Sequence, residues 1–95
     1  MNIRDIIWRE EVEDKIIRKH GVWPNEAEQA LANRPHVRFM EQGHRPGEDL
    51  YAAFGQTDAG RYLTIYFLLK SQNTVLIVTV REMTTKEIRA YGKRK

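Results

Sequence analysis

The spacing of apolar residues along this chain changes at Pro35. Before it, Val12, Ile16 and Ile17 recur at helical intervals among charged residues between Arg9 and Lys19. Lys19-His20-Gly21 closes that helix: cations complement its last turn, and glycine can take the left-handed conformation that follows. Pro24 and Asn25 open a second helix, in which Asn25 is the cap and Glu28 completes a capping box. Ala27, Ala30 and Leu31 form its small-residue buried face, and Asn33-Arg34-Pro35 ends it. Ahead of both helices, Ile6, Ile7 and Trp8 form a short extended segment that packs against the core.

Beyond Pro35 the pattern is that of strands. Val37 to Met40, Leu50 to Phe54, Tyr62 to Leu69 and Thr74 to Val80 are rich in β-branched and aromatic residues. Gly43 to Gly47, Gly55 to Gly60 and Ser71 to Asn73 supply the turns. These connections are short, which favours an antiparallel meander over crossovers. Thr84-Thr85-Lys86-Glu87 forms a second capping box and starts a final helix with Ile88 and Tyr91 on one side. The expectation is one α+β domain over 1–95: two N-terminal helices, a four-stranded antiparallel sheet covered on one face, and a C-terminal helix.

Composition excludes more than it selects. Ninety-five residues leave room for one core, and shares of 41% hydrophobic and 31% charged residues suit a globular chain. Cysteine is absent, so disulfides, thiol catalysis and thiolate metal sites are excluded. The longest apolar run, Ile65 to Leu69, is too short to span a bilayer, and Arg4 and Asp5 interrupt any signal-like start. A cytoplasmic location with no membrane partner is therefore expected.

Charge is unevenly spread. Residues 1–47 hold eight Lys/Arg and eight Asp/Glu, whereas residues 48–95 hold eight against five, which supplies the whole net +3. Arg81, Lys86, Arg89, Lys93, Arg94 and Lys95 concentrate it near the C-terminus. Such an end suits a phosphate backbone or an acidic partner, and equally a solvated helix end.

Candidate chemistry is inconspicuous. His20, His36 and His44 fall in three segments and share no helix face with another ligand type, so no metal or other cofactor is expected. The Gly55–Gly60 segment lies between strands and is no phosphate loop, and Ser71, the sole serine, lies in a turn. Metal-independent RNA cleavage asks for less. It needs activation of the ribose 2′-hydroxyl, positive charge at phosphorus and a proton for the leaving oxygen. Lys19 and His20 at a helix end, Arg81 where the sheet ends, and Glu87 and Tyr91 one helical turn apart are available for those roles. Each also has an ordinary use. Lys19 and His20 complement a helix dipole, Arg81 pairs with Glu82 or a nearby carboxylate, Glu87 closes its capping box and Tyr91 packs.

The order of these pieces resembles the BrnT toxin family. The family's tryptophan segment and Lys-His-Gly-Val helix end correspond here to Trp8 and Lys19-His20-Gly21-Val22. Its E-D-R-Y strand and G-x-T-x-A-G-R-x-L-T run correspond to Glu48-Asp49-Leu50-Tyr51 and to the ten residues from Gly55 to Thr64. Its last motif, S-A-R-x-M/A-T-x-x-E-x-x-x-Y, corresponds to the run from Thr79 to Tyr91. The resemblance implies a RelE-like endoribonuclease, neutralised in a hetero-oligomer by a BrnA-type antitoxin with a ribbon-helix-helix DNA-binding domain. It also implies catalytic roles for Lys19, His20, Glu48, Arg81 and Tyr91. Arg81 would stabilise phosphoryl charge while His20 or Lys19 assists proton transfer, and RNA contacts would come from Arg61, Lys86, Arg89 and Lys93.

Two departures bear on activity. Arg9 stands where the family usually has an acid, and Leu50 where it usually has an arginine. A donor lost from a preorganised site typically costs on the order of a hundredfold in rate. The alternative is thus a catalytically degenerate module that binds antitoxin or nucleic acid without nuclease activity.

Overall fold

A computed structural model describes residues 2–93 of the chain. In order, it contains β1 (Asp5–Ile7), α1 (Glu10–His20), α2 (Pro24–Ala32), β2 (His36–Glu41), β3 (Leu50–Gln56), β4 (Tyr62–Leu69), β5 (Thr74–Glu82) and α3 (Thr85–Lys93). The four long strands form the expected antiparallel meander, but the sheet has five strands, ordered β1-β5-β4-β3-β2, and is mixed. The extra member is the segment before the helices: β1 pairs in parallel with β5, Ile6 beside Val75. Three residues are too few to show a strand period, and a parallel partner that follows only after two helices and three further strands leaves no turn signal.

Register sorts the side chains onto two faces. Leu63, Ile65, Phe67, Val80 and Ala53 point to the face covered by α1 and α2 and form the core with Val12, Ile16, Val22, Ala27, Ala30 and Leu31. The helices approach β3 closely. A Cβ on Gly55 would lie 2.6 Å from the Ala30 carbonyl oxygen, so only glycine lets α2 pack there. The third helix corrects the expectation that helices cover one face only. α3 lies on the other side, because its Ile88–Tyr91 stripe meets the open face: Tyr91 packs edge-on against Tyr62 at 6.0 Å.

Local signals explain the helix ends. Gly21, at φ 61°, closes α1, its N–H bonded to Ile17 and that of Val22 to Ile16. α2 begins two residues earlier than the expected box: Pro24 occupies its first position, Trp23 is the cap, and Glu26 accepts from the Trp23 N–H at 3.0 Å. Glu28 is thereby released, and it accepts instead from Trp8 Nε1 at 2.8 Å, tying β1 to α2. The second box is as expected, with Thr84 and Glu87 bonded reciprocally.

Arg61 locks the helical layer to the sheet. Its guanidinium pairs with Glu26 and Glu82, each at 3.0 Å, and donates to the carbonyls of Gly21 and His20. Burial works against this charge, but the bonds to Glu82 and Glu26 outweigh it and raise the guanidinium pKa.

Candidate active site

The open face carries two rows of side chains that cross the strands. His36, Phe54, Thr64 and Arg81 form one; Arg38, Ala52, Tyr66 and Thr79 form the next. Ala52, between Arg38 and Tyr66, is the small member and is fully buried. α3 lies over this face, where Glu87 bonds Thr64 and Tyr91 packs on Tyr62. The resulting cavity, about 350 Å³, is bordered by His36, Arg38, Phe54, Tyr66, Lys86 and Tyr91 among others.

Behind Glu87 and Tyr66, which border this cavity, Arg81 is held on several sides. Nη1 donates to Glu87 Oε1 at 2.7 Å and Nη2 to Glu87 Oε2 at 2.9 Å, a two-pronged pair. Nη2 also donates to the Tyr66 hydroxyl at 2.9 Å, and Nη1 to the Glu82 carbonyl at 3.1 Å. Glu87 in turn accepts from the buried Thr64 hydroxyl and from the Thr84 N–H. The two side chains are only 29% and 22% exposed, so water screens the pair less than at an open surface. Hydrogen bonding from Arg81 outweighs desolvation and holds the Glu87 carboxyl down at about 2. The same bonds to Glu87 raise the Arg81 pKa.

Arg38 and Lys86 are placed differently. Both are exposed, border the same cavity, and carry no hydrogen bond or ion pair to any described residue. The cavity thus combines two unengaged cations with an aromatic wall, and the saturated Arg81 lies behind Glu87 and Tyr66.

A model of the family described as the ribonuclease toxin, BrnT, of type II toxin-antitoxin systems matches residues 8–87. The chain belongs to the BrnT family. A type II toxin implies an antitoxin partner. The match opens at Trp8 and closes at Glu87, so it includes the whole Arg81–Glu87 pair. The Brucella abortus ribonuclease toxin BrnT, solved at 1.1 Å resolution, shares the fold: TM-score 0.61 at 17% identity, covering 88% of this chain and 100% of that one. No curated protein matches the chain in sequence. No described helix is long and apolar enough to cross a membrane.

Among the residues expected at a BrnT site, Lys86 and Tyr91 border one cavity, and Arg81 reaches it through its bonds to Glu87 and Tyr66. Lys19 and His20 end α1 on the opposite face, where Arg61 caps the His20 carbonyl. Glu48 lies in the β2–β3 loop. That loop meets β4 at Leu68–Leu69, four or more residues from the Thr64 that faces Arg81, or roughly 13 Å along the strand. Arg61 is engaged in the clamp already described, and Arg89 and Lys93 are exposed on α3. Arg94 and Lys95 lie outside the described residues.

Arg38, Phe54 and Tyr66 border the cavity but carry no motif that marks them in the sequence, where His36 stands out only as a candidate metal ligand. Their signal was alternation, since His36-Val37-Arg38 places two polar side chains on the face opposite a core residue. Only the register connects that face to Arg81.

Proposed function

We propose that this BrnT-family chain is a metal-independent endoribonuclease that cuts RNA in the cavity between α3 and the open face of the sheet. One observation carries the reading: Arg81, fixed by Glu87, bonds the Tyr66 oxygen while unengaged Arg38 and Lys86 border the same cavity. Cleavage joins the ribose 2′-oxygen to the adjacent phosphorus and breaks the bond to the 5′-oxygen. A base takes the 2′-proton, cations offset charge on the pentacoordinate phosphorus, and an acid protonates the leaving oxygen. Arg38 and Lys86 supply the positive charge. The Tyr66 oxygen already accepts from Arg81, so its own hydrogen is left for the phosphate or the leaving oxygen. His36 sits diagonally from Ala52 on the same face, and imidazole is the side chain best suited to proton transfer near neutral pH, which makes it the base.

Tyr91 borders the substrate, and Arg89 and Lys93 extend the positive surface that attracts it. Lys19, His20 and Glu48 take no part in cleavage in this reading, and Arg61 acts structurally. The partner is a BrnA-type antitoxin with a ribbon-helix-helix domain, and the pair is cytoplasmic; the resemblance in sequence supports both, as it does the RelE-like ancestry.

The test uses purified protein, an unstructured RNA and excess chelator. Cleavage is expected to continue, and to fall by about a hundredfold or more in His36→Gln and in Tyr66→Phe. Full activity in both variants would overturn the assignment, and loss of wild-type activity with chelator would overturn metal independence. A second reading, an antitoxin-binding module without nuclease activity, is favoured by one observation. Leu50, in the family's arginine position, lies on the open face beside this site.

A further inference from the structure

We infer that the cavity between α3 and the open face receives a single unpaired nucleobase, which restricts the substrate to single-stranded RNA. The inference rests on the ribonuclease reading and adds its selectivity. The cavity holds about 350 Å³, near the lower end of the roughly 300–1,000 Å³ of small-molecule clefts. It has room for one nucleotide. Its walls are aromatic: Phe54 on the sheet, with the His36 ring 6.4 Å away, and Tyr91 on α3. Arg38 and Lys86 stand beside those rings with no protein partner among the described residues, at a place suited to the phosphates flanking an inserted base. Aromatic rings stack on any base, and neighbouring cations track the backbone. A duplex buries its base faces in its own stack and offers none to such a slot. No second cavity among those described combines rings with free cations: one is bordered by residues of β1 and α2, and another by Asp14, Ile17 and Arg18.

Binding tests this independently of cleavage. The probes are a fluorescent single-stranded RNA with 2′-O-methyl sugars, which cannot be cut, the same strand in a duplex, and a strand of equal length lacking bases. Wild-type protein is expected to bind the single strand about tenfold or more tighter than either of the others. Phe54→Leu should lose most of that preference while binding the base-free strand as before. Ala90→Leu fills the cavity from the exposed side of α3 without removing a packed side chain, and should have the same effect even where Phe54→Leu fails to fold. Equal binding of all three probes by wild type, or an unchanged preference in Ala90→Leu, overturns the slot. The ribonuclease reading fails separately, if wild-type protein shows the preference yet leaves the unmodified strand uncut.

Discussion

Arg81 and Glu87 are joined nitrogen to oxygen at both ends of the carboxylate, at 2.7 and 2.9 Å. The pair anchors α3 to the sheet and at the same time aims Arg81 at Tyr66. A lysine carries the same charge but cannot span both carboxylate oxygens and the phenol together. Arg81→Lys is therefore expected to lower kcat/KM for RNA cleavage by about a hundredfold or more while circular dichroism stays native. A folded variant that cuts as fast as wild type would leave the pair without a role in the reaction.

The same pair predicts an acid limit to stability. The folded state holds the Glu87 carboxyl at about 2, below its ordinary 4.5, chiefly through Arg81. A lowered carboxyl pKa stabilises the fold above the unfolded value, and that stabilisation is lost as the pH falls through the folded value. Wild type should exceed Glu87→Gln in urea midpoint by a constant margin above pH 4.5, with the margin closing between about 4.5 and 2. A margin independent of pH across that window would mean the charge on Glu87 contributes nothing.

Arg61 separates structural from RNA-binding arginine. It bonds Glu26, Glu82 and two carbonyls, so Arg61→Met strands the part-buried Glu26 carboxylate and His20 carbonyl. A loss of about 1–3 kcal/mol in unfolding free energy is expected. RNA affinity at a temperature where the variant is folded should change little, whereas Lys86→Met should weaken binding and flatten its salt dependence. Arg61→Met with native stability and weakened RNA binding would reverse the assignment.

Gly55 offers a check on the helical layer. A methyl group there meets the Ala30 carbonyl oxygen at 2.6 Å, and backbone cannot swing aside as a long side chain can. Gly55→Ala should destabilise by about 1–3 kcal/mol, read as a lower melting temperature. An unchanged melting temperature would show that α2 packs more loosely on β3 than this contact indicates.

Local chemistry made most of the fold legible. Gly21 as a left-handed cap, the Thr84–Glu87 box and the four long strands follow from spacing and residue type alone. What sequence could not give was pairing at long range. β1 joins β5 across 69 positions, and Arg38 reaches the Tyr66 row only through β3. Arg81 was legible as a candidate because it ends a strand before a cap. Its partner Tyr66, and the Thr64 that bonds Glu87, were not, since they sit in a strand that otherwise reads as core. Lys19 and His20 illustrate the converse: a plausible pair by residue type, carried to the far face by the packing of α1.

Position 50 decides between a working and a degenerate site. Leu50 lies two residues before Ala52 on the same face of β3, about 7 Å from it along the strand. An arginine there has the length to bring its guanidinium toward the cavity bordered by Arg38 and Tyr66. If Arg38 and Lys86 already serve the phosphate, Leu50→Arg adds one contact to a competent site. The logarithmic salt slope of single-strand binding should then steepen by about 0.7, with kcat rising less than about tenfold. A degenerate site behaves otherwise: wild type binds without cutting, and the added donor restores on the order of a hundredfold in rate. Measuring both quantities on one variant distinguishes the cases, and the expected result is the steeper slope with little change in kcat.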